Sequence, residues 1–187
     1  MSKEQDYYHS LYQVAKVINS SLEPAQVLET IAGQVVQSMD LQACSLRLLD
    51  SGGQRLLMGA SQGLSQGYLR KGAVEVAKSR LDQEALEGKK PVQVQDARTD
   101  SRFQYPEKAR EEGLISLIVL PLMVEDRAIG VIRAYSGQER EFTAGEIEFL
   151  SIIANLSAIA LENARLHQRL KLDCQLQADY DYRLFED

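Results

Sequence analysis

The 187-residue chain carries 21 Lys and Arg against 27 Asp and Glu, a formal net charge of −6. That balance implies no basic face and argues against a dedicated nucleic-acid binder, which needs clustered cations to displace counterions from phosphates. Hydrophobic residues at 44% and charged residues at 26% are the mix of an ordinary globular chain, large enough to bury a core without staples.

Tyr8, Leu11, Tyr12, Ala15 and Ile18 follow helical spacing, and Asn19, Ser20 and Ser21 interrupt it. Pro24 suits the first turn of a second helix, whose stripe is Val27, Leu28, Ile31, Val35 and Met39. Cys44–Leu49 alternates as a strand, and the Asp50-Ser51-Gly52-Gly53 turn leads to a second strand over Arg55–Ser61. Gln62–Lys90 is expected to hold short helices, one near Asp82–Glu87 that ends at Gly88, and Val92–Gln95 a short strand. Tyr105-Pro106 opens a short helix, supported by Lys108 and Glu112 at i,i+4 and stopped by Gly113. Ile115–Val124 and Arg127–Ser136 form a hairpin around Glu125-Asp126, and Thr143 caps a long helix expected to reach about Asp173. This order predicts an α+β fold with an antiparallel sheet.

Two cysteines, Cys44 and Cys174, form no CxxC pair, so neither a zinc site nor a disulfide framework is supported and a reducing compartment fits. Residues 1–6 lack the build of a signal peptide. No apolar run in the sequence reaches the roughly 20 residues that span a bilayer. The reading is a cytoplasmic protein with no membrane and no nucleic-acid partner, no metal and no cofactor.

The last third is the most informative. Pro121-Leu122, Ile129-Gly130-Val131-Ile132, Phe142-Thr143 and the run Glu162-Asn163-Ala164-Arg165-Leu166 resemble the C-terminal half of GAF domains of the bacterial signalling type. Cys44–Asp50 and Asp96–Phe103 look like that family's first strand and the loop before its central short helix. The similarity covers about Leu22–Leu166. It divides the chain into an N-terminal dimer-forming helix over 1–21, a GAF domain over 22–166, and a helix extension with an acidic tail over 167–187. The resemblance implies a central antiparallel sheet (GAF/PAS-like) with the terminal helices on one face and a pocket under short helices and loops on the other. It also implies a signalling role, a small-molecule ligand and a homodimer.

The chain departs from the specialised branches of that family. The cyclic-nucleotide signature fails, because Ile147 follows Glu146 where a second acid belongs. No cysteine lies in the pocket helix, as bilin attachment requires, nor in the loops that serve free-methionine-sulfoxide reduction. Arg80–Lys90 replaces the usual Gly-rich stretch.

By the family topology the strands holding Ser45 and Arg47 and holding Arg133 and Tyr135 are neighbours, and these four side chains converge on the pocket side. A buried guanidinium needs a partner. Two readings stay open: internal pairing with Asp96, Asp100 or another acid, or a carboxylate or phosphate ligand held bidentately. Asp96–Arg102 is either a turn-capping loop or a pocket lid. Cys44 is expected to be a buried small hydrophobe, and His9 and His167 to be surface residues on the terminal helices.

On the long helix Ile152, Leu156, Ile159, Asn163, Leu166 and Leu170 recur at spacings of four and three, a coiled-coil seam, with Tyr8, Leu11, Ala15, Ile18 and Leu22 repeating the pattern on the first helix. A second stripe, Ile147, Leu150, Ala154, Ser157 and Leu161, suits packing on the sheet. A parallel homodimer through these helices is expected, the alternative being a monomer whose seam packs on its own first helix. The leading functional expectation is a non-catalytic sensory module read by a signalling partner protein. A structural dimerisation module with a filled pocket is the second, and a reductase of the methionine-sulfoxide kind the third.

Overall fold

Alternation along the strands separates two buried layers. The computed structural model describes residues 3–20, 23–70 and 72–184. Helices α1 (Lys3–Ser20) and α2 (Pro24–Met39) are followed by strands β1 (Ala43–Leu49) and β2 (Arg55–Gln62), then by the short helix α3 (Gln66–Leu69) and strand β3 (Val74–Glu75). A 3-10 turn at Val76–Lys78 leads into α4 (Arg80–Gly88), β4 (Val92–Val94) and α5 (Pro106–Glu112). The chain closes with β5 (Ser116–Val124), β6 (Arg127–Ser136) and α6 (Ala144–Leu184). The six strands form one antiparallel sheet in the order β3-β2-β1-β6-β5-β4.

One face of the sheet packs on α1, α2 and α6. Cys44, Leu46, Ile118, Leu120, Ile132 and Ala134 point into that layer, against Leu28, Ile31 and Val35 of α2 and Leu150, Ile153 and Ala154 of α6. The opposite face, with Ala43, Leu117, Val119, Val131 and Tyr135, packs under α3, α4 and α5 through Tyr68, Leu81, Ala85 and Ala109. Central strands β1 and β6 are therefore buried on both sides over most of their length, and Ser45, Arg47, Arg133, Tyr135 and Ser136 are buried with them.

Local signals explain the element ends. Pro24 sits in the first turn of α2. Gly113 closes α5 with φ of 72°, the left-handed conformation that suits glycine. Thr143 and Glu146 form a capping box at the start of α6: Thr143 N–H donates to Glu146 Oε2 at 2.9 Å, and Glu146 N–H to Thr143 Oγ1 at 3.4 Å.

The structure corrects the sequence reading in several places. Helix α6 runs on to Leu184 and does not stop near Asp173, since no Gly or Pro interrupts residues 174–184. The tail is thus helical to Leu184, and Glu186 and Asp187 lie outside the described residues, as do Ser21 and Leu22. Lys108 pairs with Glu111 at 2.6 Å, not with Glu112, whose carboxylate accepts from the backbone N–H and hydroxyl of Ser65. The segment Ala144–Lys171 is, by length and composition, one helix apolar enough to cross a membrane. Its Leu150, Ile153, Ala154 and Ala158 are buried in the core, the pattern of a core helix.

Candidate functional site

Strands β1 and β6 are far apart in sequence but hydrogen-bonded neighbours, with Ser45 opposite Arg133 and Arg47 opposite Val131. That register brings Ser45, Arg47, Arg133 and Tyr135 together on the α4 side of the sheet, as the sequence reading expected. Arg47 and Arg133 are each 1% exposed, and Ser45 and Tyr135 are fully buried. Ser45 Oγ lies 3.3 Å from Tyr135 Oη, and the Tyr68 ring meets the Tyr135 ring edge-on, centroids 6.4 Å apart.

The two guanidiniums have different fates. Arg133 donates from Nε to Asp82 Oδ1 at 2.9 Å and from Nη2 to Asp82 Oδ2, and Asp82 also accepts from the Ser79 hydroxyl. Burial works against the Arg133 charge, but the Asp82 carboxylate outweighs it and holds the guanidinium pKa above its ordinary value. Arg47 has no such partner among the described residues. Its Nη1 donates to the Leu56 carbonyl at 3.4 Å, while its buried Nε and Nη2 meet no acceptor there. Burial first, and the nearby charge of Arg133 second, push the Arg47 pKa down.

The backbone around Arg47 is irregular. Gly59 is the extra residue of a bulge on β2: Leu46 faces Ala60 while Arg47 faces Met58. Bulges re-aim side chains and occur beside functional sites. On the other side Gly130 lets β6 approach β1, because a Cβ there would overlap the Arg47 carbonyl oxygen.

Asp96 and Asp100 do not join this cluster. Each is consumed by the arginine two residues on: Arg98 Nη2 lies 2.7 Å from Asp96 Oδ2, and Arg102 Nη2 2.7 Å from Asp100 Oδ2. Both carboxylates also accept the backbone N–H of that arginine, at 2.9 Å and 2.8 Å, so they cap turns. The partner of Arg133 is Asp82. It was legible in principle, because Leu81, Asp82 and Ala85 share one face of α4 and all three are buried.

The helical stripes also sort by burial. Leu150, Ala154 and Ser157 pack on the sheet, and Ile147 and Leu161 are half-buried against it. Ile152, Ile159 and Leu166 are 40–52% exposed, and Asn163 is exposed. Leu156 departs from the open seam: it is half-buried against the chain's own core, and so are Leu11 and Ile18. Ala15 is half-buried, while Tyr8 and Tyr12 are 73% and 64% exposed. Cys44 is buried, which pushes its thiol pKa up; Cys174, His9 and His167 are exposed. A surface cleft of about 820 Å³ lies between the β1–β2 turn, the start of β6 and α6, and neither Arg47 nor Arg133 lines it.

A family model described as GAF domain matches residues 21–162. Solved structures share the fold at low identity. The GAF domain of an Acinetobacter phosphoenolpyruvate-protein phosphotransferase is 23% identical, with TM-score 0.72, covering 89% of this chain and 97% of that one. The corresponding domain from Coxiella burnetii is 18% identical, with TM-score 0.79 and coverages of 90% and 99%. The free methionine-R-sulfoxide reductase of Neisseria meningitidis, solved with its substrate, is 20% identical, with TM-score 0.74 and coverages of 89% and 95%. No curated protein matches the chain by sequence.

Proposed function

Because the chain belongs to the GAF domain family, we propose that it is a non-catalytic cytoplasmic sensory module that binds a small molecule beneath α4 and dimerises through its terminal helices. The observation that carries the reading is the buried polar cluster on the central strands. A purely structural module gains nothing from placing two arginines where apolar side chains would pack more stably. Sites that violate local packing rules in this way are the usual place for function.

Helix α4 forms the roof of the cluster and is pinned to the sheet by Asp82. A ligand that enters beneath it changes the contacts of β1 and β6, whose opposite face carries α2 and α6. The signal would leave through α6, which extends to Leu184 and displays an exposed apolar stripe. A partner protein would read the helical pair.

The side chains support a binding role over a chemical one. The thiol of Cys44 is buried against the helical layer, and the hydroxyl of Ser45 meets Tyr135 and no base. Assay of the purified chain for methionine-sulfoxide reduction and nucleotide hydrolysis tests this. Turnover that disappears on substitution of one residue of the cluster would overturn it. Ligand binding is tested separately by thermal-shift screening of the intact chain. A dimer that no small molecule stabilises would leave a structural adaptor as the answer.

A further inference from the structure

Resting on the ligand-binding reading above, we infer that Arg47 is the counter-ion for the carboxylate of a small monoanionic ligand, while Arg133 is reserved for holding α4. The inference starts from charge and hydrogen bonds. The buried cluster contains two guanidiniums and one carboxylate, and Asp82 satisfies Arg133 through both of its oxygens. One positive charge is left over, on a side chain 1% exposed whose Nε and Nη2 meet no acceptor among the described residues. Arginine stays protonated in proteins, so this charge cannot be shed as a buried lysine sheds its own.

A planar pair of donors matches the two oxygens of a carboxylate, in the geometry Arg133 already shows with Asp82. A single negative charge balances the cluster. A dianion would leave a buried surplus of the opposite sign. The groups facing Arg47 are Arg133, Tyr135, Tyr68 and Asp82, and none supplies a second free cation. The buried side chains packed in this layer are apolar and aromatic, Leu56, Tyr68, Val131 and Tyr135 among them, so a short apolar tail is the chemistry that would match the carboxylate's surroundings. The bulge at Gly59, beside Arg47, is the backbone irregularity expected where a side chain is re-aimed toward a ligand.

The test uses the full chain in a buffer free of carboxylates and at fixed ionic strength. Acetate, propionate, butyrate and pentanoate are compared with their primary amides, with succinate and with inorganic phosphate. At saturation the monocarboxylates should raise Tm by about 5–10 °C, and the amides, succinate and phosphate should not. Arg47→Met removes an uncompensated buried charge, so it should raise the Tm of the free protein and abolish the carboxylate shift. Arg47→Lys should keep a smaller shift. A fall in Tm on Arg47→Met would make Arg47 structural and overturn the inference, as would the absence of a carboxylate shift in the wild type. Equal stabilisation of wild type and Arg47→Met by the amides would overturn it too, while leaving the ligand-binding reading intact.

Discussion

Arg133 and Asp82 join strand β6 to helix α4 through two charge-assisted hydrogen bonds, with side chains 1% and 0% exposed. This pair is the point where the polar cluster is tied to its roof. Its worth lies in what happens when one half is removed, since an intact buried pair is roughly balanced by its desolvation.

Asp82→Asn should therefore destabilise the protein by about 3–5 kcal/mol, because it leaves two buried guanidiniums without a carboxylate. The double variant Asp82→Leu with Arg133→Met should recover most of that loss. Urea unfolding followed by circular dichroism measures both. Equal stabilities of the single and double variants would show that the pair is not coupled.

Gly130→Ala should cost about 1–3 kcal/mol, because the new Cβ would overlap the Arg47 carbonyl oxygen and sit 3.1 Å from Leu48 Cα. The strain falls on backbone at the sheet centre, which cannot swing away as a side chain can. Gly33→Ala is the contrast. Nothing lies within 4 Å of its Cβ position in α2, so it should stabilise by up to about 1 kcal/mol through helix propensity. Thermal unfolding of the two variants side by side decides.

The capping box predicts a pH dependence. Burial works against the charge of Glu146, but hydrogen bonds from Arg140 and Thr143 outweigh it and hold the carboxyl below its ordinary value of 4.5. The folded pKa is thus lower than the unfolded one. The stabilisation is fully present above about pH 4.5 and is lost as pH falls through the folded value. Glu146→Gln should be less stable than wild type by about 1–2 kcal/mol at neutral pH, and the gap should close as acid is added. A gap that persists at the acid end would mean the side chain acts by shape and not by charge.

The proposed dimer is best tested on the outer half of the stripe. Leu156 touches the chain's own core, so charging it would confuse unfolding with dissociation. Ile159 and Leu166 are 52% and 48% exposed and avoid that problem. Wild type should sediment as a dimer at tens of micromolar, and Ile159→Asp with Leu166→Asp as a folded monomer. A monomeric wild type would end the dimer proposal.

Much of the fold was legible because helices and strands answer to periods of a few residues. The turns at Asp50–Gly53, Gly113 and Glu125-Asp126, the stripes of α2 and α6 and the faces of β1 and β6 follow from local spacing, glycine placement and burial. Short helices were expected within Gln62–Lys90, where α3 lies, but neither its bounds nor the strand β3 was legible, since four residues and two residues are too few to show a period.

The sequence by itself determined that Ser45 and Arg47 share one face of their strand and Arg133 and Tyr135 one face of theirs, because side chains alternate along a strand; the β1–β6 register puts both pairs on the same side of the sheet. Only the tertiary structure decided which acid answers which arginine. Asp96 and Asp100 were nearer candidates by composition, but each is captured by an arginine two residues away at almost no cost in chain entropy. Asp82 reaches Arg133 across 51 residues because α4 docks on the sheet through Leu81 and Ala85. That docking depends on long-range packing: the spacing of Leu81, Asp82 and Ala85 puts them on one face of α4 but does not say what that face meets. It is also what leaves Arg47 without an acid among the described residues.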